Sequence, residues 1–428
     1  MKYLNKFKIL YEHQYGFRSN HNTVHPLLHF LDKINNSLNN DNPEFTLGIF
    51  IDLKKAFDTC DKNILLAKLY HYGFRGSVNC WFHSYLTNRK QFTNLNGVSS
   101  SLRDMVCGVP QGSILGPILF LILINDLPHC SKHLFTLLFA DDTTLQLSSP
   151  DPIRLYNTAN KELTNVAEWF KANKLTLNIS KTKYILFRKP NMNIDFDALK
   201  LYIDNCSVER IGGGCAETSF KFVGVKIDEF LQWKNHIQSV KSKLTSANFA
   251  LSKIKNLLSE DIKLIIYNSL FRSHLEYCIM AWGNTDASQM SQIQNLQKKA
   301  IRCVANEKYN AHANPLFIKY KLLNVTDTYF YSLGVFMYRY TNSTLPNSFN
   351  DFFKKLQMHD RNLNYVTNRI YSDCLGSIPS NSLPKFWNSL NLDMKRSSSL
   401  KIFKKQLKEK FQSYYSTRCN KQNCYSCK

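Results

Sequence analysis

LFTLLFADDTTLQLS, residues 134–148, decides the fold of this chain. An apolar run meets two adjacent carboxylates, Asp141 and Asp142, and then passes into an alternating apolar–polar stretch. A short apolar run marks a buried strand, and strict alternation marks a half-buried one. The segment therefore predicts a strand, a two-residue acidic turn of Asp141 and Asp142, and a second strand. An isolated Asp-Asp pair marks no more than a turn. The LLFA approach separates the two readings, because a plain surface hairpin has no use for it.

Upstream, TLGIFIDL (46–53) is a second apolar run, and it ends on Asp52. Carboxylates at the ends of buried strands cost desolvation unless something offsets them, and hard divalent cations are the usual answer. If the two strands lie side by side, Asp52 and Asp141 can share two Mg²⁺ ions, with Mn²⁺ as the alternative. Such a pair, about 3.5–4 Å apart, activates an attacking 3′-hydroxyl and stabilises the leaving oxygen of an in-line phosphoryl transfer. Between the strands sits GVPQGSILGP (108–117), whose three glycines and two prolines predict a tight loop opening a helix that runs to about Asp126. Gln111 offers an amide to a base pair or sugar edge without adding charge; alternatively the loop only starts the helix.

Outward from this centre, helices are expected over 23–38, 61–72, 76–87 and 152–172, and a hairpin turning at Asn96-Gly97 within 89–107. Strands are expected at 184–187 and 220–228. Beyond Trp233 the pattern is wholly helical (234–257, 260–281, 287–305), and the chain closes on a lysine-rich helix, SLKIFKKQLKEKFQSYY (399–415). The order predicts an α+β catalytic half and a helical half, divided near residue 230.

The chain carries 55 Lys and Arg against 32 Asp and Glu, a formal charge of +23. That balance favours a polyanionic partner, because each cation set against a phosphate releases condensed counterions. The basic residues are interleaved with 29 Phe and 22 Tyr, which suits a groove that tracks a backbone and stacks bases, although many of these rings must be core. The start, MKYLNKFKILYEHQ, holds no apolar stretch of signal-peptide length, so an intracellular protein with reduced thiols is expected. The longest apolar run, Ile114 to Ile124, is about half the roughly 20 residues that span a bilayer, and no membrane partner is expected.

In order, QYGFRSNHNT (14–23), IDLKKAFD (51–58), GVPQGSILGPILF (108–120), FADDT (139–143), NISKTKYILF (178–187) and FVGVKID (222–228) resemble the successive blocks of non-LTR (LINE-type) retrotransposon reverse transcriptases. LQW..HI (231–237), SLFRSHLEYCIMAWG (269–283) and LQKKAIR (296–302) are similar to the thumb and post-thumb of jockey- and CR1-like elements, so the resemblance covers roughly residues 10–310. It implies a right-hand polymerase: partial fingers and palm over 1–230, a helical thumb over 231–310, and a basic helical C-terminal region over 311–428. The implied reaction adds deoxynucleoside triphosphates to a DNA primer 3′ end on an RNA template. Because such elements prime on nicked chromosomal DNA, a nuclear site of action is implied too.

Carried over residue by residue, the resemblance makes Asp52 and Asp141 the metal-bridging carboxylates, with Asp142 beside them at the primer terminus. Phe57 is the aromatic gate whose ring clashes with a 2′-hydroxyl, or else a core aromatic on a strand-to-helix turn. Gln111 and Gly112 line the nascent base pair. Lys181 matches a lysine that protonates departing pyrophosphate, or is a solvated lysine. Arg18 resembles a fingers residue contacting the triphosphate or template. Asp58 reads as a carboxylate stabilised at a helix N-terminus rather than as a third ligand.

Relatives carry an endonuclease and a longer fingers region before the QYGFR block, so an N-terminally truncated member is expected. The alternative function is a remnant that binds nucleic acid without polymerising. An RNA-dependent RNA polymerase shares the palm, but Phe57 and the Ala140 before the acidic pair argue against it. The tail places Cys419, Cys424 and Cys427 as C-x4-C-x2-C, an incomplete zinc knuckle or a reduced tail.

Overall fold

The structure is a computed structural model and describes residues 1–356, 363–367 and 379–417. Cys419, Cys424 and Cys427 lie outside the described residues. Helix and sheet are mixed, and the chain divides into two compact units: Met1–Pro26 with Asn40–Thr218, and Leu27–Asn39 with the chain from Ser219 onward.

The first unit is built on five strands: β1 (Phe45–Ile51), β2 (Phe135–Phe139), β3 (Asp142–Ser149), β4 (Lys183–Phe187) and β5 (Glu209–Ile211). Their order is β5-β4-β1-β3-β2. β1 is antiparallel to both neighbours, with Ile51 opposite Thr143 on one side and Phe50 opposite Lys183 on the other. Every residue of β1 is buried, which explains its unbroken apolar run: a central strand covered on both faces has no solvent side to alternate with. The two strands expected side by side as the condition for a shared metal pair, β1 and β2, are not neighbours. β3, the strand after the acidic residues, takes the place beside β1, and β2 lies outside it. The turn also differs from expectation, since Phe139 pairs with Asp142 and leaves Ala140 and Asp141 as the turn residues.

Helices surround the sheet much as the periodicity predicts. Lys62–His71 begins at Asp61, whose carboxylate accepts the Asn63 and Ile64 N–H groups. Pro152–Ala172 begins at the Asp151 cap with Pro152 in its first turn, and it buries one face from Leu155 to Phe170. Leu115–Ile124 is apolar on all sides and buried almost throughout, a core helix. Residues 90–104 form two short antiparallel ribbons that turn at Asn96-Gly97, both at positive φ.

In the second unit, the strand expected over 220–228 is instead a tight hairpin, Phe220–Phe222 against Val225–Ile227. Val223 and Gly224 both sit at positive φ; a valine there is rare, and no hydrophobic period betrays it. Helices Lys234–Lys253 and Ala287–Val304 match expectation, whereas 260–281 is interrupted by a π turn at Tyr267–Arg272 and a break at the left-handed Cys278. Further along, Val325–Thr341 packs on the lysine-rich Leu400–Thr417, with the Tyr338 and Phe403 rings stacked 4.6 Å apart. No helix among the described residues is long and apolar enough to cross a membrane.

Candidate active site

The register gathers the carboxylates. With Ile51 opposite Thr143, one further step sets Asp52, just past β1, opposite Asp142 at the start of β3, and Asp141 stands in the adjoining turn. Burial raises the Asp141 carboxyl above its ordinary range, and the charge of Asp52 raises it further. Asp142 is exposed as a residue, yet its carboxyl is pushed up to about 6, first by the protein atoms that crowd water away and then by Asp141 and Asp52.

Asp52 is held from the other side. The Asn178 Nδ2 donates to Asp52 Oδ2 at 2.7 Å, and the Asn178 N–H donates to the Asp52 carbonyl at 2.8 Å. The Asp52 N–H reaches Thr182 Oγ1 at 3.3 Å. Ser180 Oγ donates to Asn178 Oδ1 at 2.9 Å, which occupies the amide oxygen and turns the amide nitrogen toward Asp52. Lys181 lies exposed in the same tight turn, its N–H donating to the Asn178 carbonyl at 3.1 Å.

The glycine-rich loop lies along residues 57–60. Gly108 N–H donates to the Cys60 carbonyl at 2.8 Å, and Val109 N–H to the Phe57 carbonyl at 2.9 Å. Gly108 is at φ +88°, and a Cβ there would stand 2.7 Å from the Asp58 oxygen, so the close approach requires glycine. Gly112 is at φ +72° with open space about it, so there the requirement is conformational. Gln111 Nε2 donates to Asp58 Oδ1 at 2.7 Å. Asp58 is therefore not the helix N-terminal carboxylate expected of it; it lies in a turn, and Asp61 caps the helix. Half-buried Phe57 stacks on Phe120 at 4.6 Å and meets Phe17 edge-on at 6.3 Å. Its core contact is real, and it also borders the loop carrying Gln111. Arg18 is half-buried, with Nη1 donating to the Tyr11 and Gln14 carbonyls, both at 2.9 Å, and burial lowers its pKa. A cavity of about 850 Å³ is lined by Lys55, Asp58, Thr59, Arg89 and Gln111 among others.

Among the described residues no three His, Cys, Asp or Glu side chains are gathered closely enough to hold an ion unaided. Magnesium does not ask for that: it keeps several waters and takes one or two carboxylates together with substrate phosphates. Two carboxyls raised by burial and by neighbouring negative charge at an open strand end fit such an ion, because a divalent cation offsets the charge that gathers there. Asn178, Thr182 and Gln14, whose side chains brace these carboxylates or their turn, were not singled out from sequence. Asn178 left one signal, an Asn-x-Ser turn former directly before a strand.

Residues 1–227 match the family model described as reverse transcriptase (RNA-dependent DNA polymerase). The chain is 24% identical over 331 residues to a probable RNA-directed DNA polymerase from transposon X-element of Drosophila melanogaster, covering 74% of this chain and 34% of that protein. It is 28% identical over 324 residues to a probable RNA-directed DNA polymerase from transposon BS of the same organism (72% and 34%). To the RNA-directed DNA polymerase from mobile element jockey of Drosophila melanogaster it is 24% identical (70% and 32%). The chain thus spans about a third of the length of the curated relatives it matches. Among solved structures, apo telomerase from Candida tropicalis aligns at 13% identity with a TM-score of 0.40, over 77% of this chain and 53% of that one.

Proposed function

The chain belongs to the reverse transcriptase (RNA-dependent DNA polymerase) family, and from that premise we propose that it extends a DNA 3′ end with deoxynucleotides on an RNA template. The observation that carries the reading is the register of Ile51 opposite Thr143, which carried one step further faces Asp52 toward Asp142, beside the turn that holds Asp141. On this reading residues 1–230 form partial fingers and palm, 231–310 the thumb, and 311–428 a basic helical C-terminal region, acting in the nucleus.

Asp52, Asp141 and Asp142 would hold two Mg²⁺ ions, or Mn²⁺. When bound, such ions lower the pKa of the primer hydroxyl and offset charge on the leaving pyrophosphate. The protein's own part is placement. Asn178 and Thr182 fix the aim of Asp52, and the antiparallel pairing fixes the spacing of the other two. Phe57, backed by Phe120, presents a ring edge that a 2′-hydroxyl would strike, so ribonucleotides are refused. Gln111 and Gly112 lie along the nascent base pair, and Gln111 exchanges its Asp58 contact for the substrate. Exposed Lys181, on the turn that holds Asp52, gives its proton to the departing pyrophosphate. Arg18 contacts triphosphate or template from the loop after Tyr15. The high positive charge of the chain supports binding of the hybrid backbone.

The test is Mg²⁺-dependent extension of a DNA primer on poly(rA) by the purified chain beside its Asp52→Ala/Asp141→Ala variant. Extension by the parent alone supports the reading. Tight, salt-sensitive primer–template binding with no extension by either would replace it with a nucleic-acid-binding function.

A further inference from the structure

We propose that Gln14 is the positioning residue of the acidic turn: its buried side-chain oxygen holds Ala140 in the backbone conformation that aims Asp141 and Asp142. The inference rests on the polymerase reading and deepens it, adding a residue outside the carboxylate cluster.

Ala140 sits at φ +58°. This left-handed region suits glycine, and an L-residue stays in it only where its surroundings insist. The insistence comes from residues 13–16. Tyr15 N–H donates to the Leu138 carbonyl at 2.8 Å and Leu138 N–H to the His13 carbonyl at 3.0 Å, so this stretch runs parallel along the edge of β2. Gln14 is 1% exposed. Its Oε1 accepts the Gly16 N–H at 2.8 Å and the Ala140 N–H at 3.1 Å, tying the strap to the residue before Asp141. Gly16 makes the approach possible, since a Cβ there would fall 2.3 Å from the Ala140 nitrogen. Arg18 secures the strap in turn by donating to the Gln14 carbonyl.

The two ends of the Gln14 amide differ. Both hydrogen bonds use the oxygen, while buried Nε2 has no partner among the described residues. A glutamine kept for packing alone would be replaceable by methionine without consequence for the turn. One kept for its acceptor is replaceable only by a residue that carries an oxygen at the same reach, which is glutamate.

The experiment compares the full chain with Gln14→Met and Gln14→Glu, and with Gln14→Asn, which carries the amide one methylene short, should the methionine variant not fold. Three quantities are read: hydrogen exchange of the Ala140 amide, Mn²⁺ affinity by electron paramagnetic resonance with the metal alone, and primer-extension kinetics. In Gln14→Met, Ala140 exchange should quicken roughly tenfold or more. Its Mn²⁺ affinity should fall, and kcat should drop roughly ten- to a hundredfold, with the deoxynucleotide KM and primer–template affinity within about twofold of the parent. Gln14→Glu, which keeps an acceptor at the same reach, should restore Ala140 exchange, and that exchange alone is read in it because a carboxyl buried there adds charge beside Asp141 and Asp142. Unchanged Ala140 exchange in Gln14→Met overturns the proposal, as does faster exchange with metal affinity and kcat intact. If the parent does not extend primers, the polymerase reading fails by itself. Ala140 exchange and Mn²⁺ affinity then decide the role of Gln14 separately.

Discussion

Two carriers bring carboxylates to one end of the sheet, and they are built on opposite plans. Asp52 is a braced corner: the turn over residues 178–182 sets an amide on its carboxylate and a hydroxyl on its backbone. Asp141 and Asp142 sit on a strained hairpin whose members repel one another and whose carboxyls are driven up. The first arrangement is satisfied as it stands. The second is relieved by protonation or by a cation, which is the property the proposed metal site draws on.

Breaking the strained side outright should have the largest effect. Asp141→Asn is expected to lower kcat for primer extension by on the order of a thousandfold or more, while primer–template affinity, measured by fluorescence anisotropy, stays within about twofold. Loosening the braced side should be milder. Asn178→Ala removes one hydrogen bond to a charged group, and by the roughly 1.5–3 kcal/mol of such bonds kcat should fall about ten- to a hundredfold with little change in nucleotide KM. Retained kcat would show that Asp52 needs no brace.

How far the sequence reveals this contrast follows from the kind of signal each part leaves. Both buried approaches, TLGIFI and LFTLLFA, stand out as apolar runs, and Pro152–Ala172 is legible from its cap, its proline and its period. Strand order is not legible, because pairing β1 with β3 rather than β2 depends on which edge the hairpin offers, and the largely polar DTTLQLSS of β3 gives no sign of an inner place in the sheet. The Asn178 amide and the Gln14 strap arise from contacts across 126 residues, and the Asp142 register from a pairing that is also distant in sequence, so none leaves a local pattern. The Val223-Gly224 hairpin hides for a different reason: valine at positive φ contradicts its own propensity.

The proposed gate role of Phe57 sharpens the comparison from outside the carboxylates. Phe57→Val removes the ring that stacks on Phe120 and leaves a smaller apolar side chain, and discrimination against ribonucleotides in single-nucleotide incorporation should fall about tenfold or more. Unaltered discrimination would leave Phe57 as core only.

The smallest expected effect is on stability. The Asp142 carboxyl is raised from 3.8 to about 6 on folding, so the folded state holds its proton more tightly than the unfolded one. Stability therefore falls as pH rises from about 4 to about 6, and the penalty is complete above that window. Asp142→Asn should melt about 1–2 °C higher than the parent at pH 7 and equal to it below pH 4. A lower melting temperature at pH 7 would mean that the turn is not strained by charge.

The measurement that tests the account most directly is a ¹³C titration of the Asp142 carboxyl in the metal-free chain and in Asp52→Asn. Burial first, and then the charges of Asp141 and Asp52, predict a parent value near 6 that moves down, while staying above the ordinary carboxylate range, once Asp52 loses its charge. An ordinary parent value, indifferent to Asp52→Asn, would contradict the claim that the end of β1 and the acidic turn form a single site.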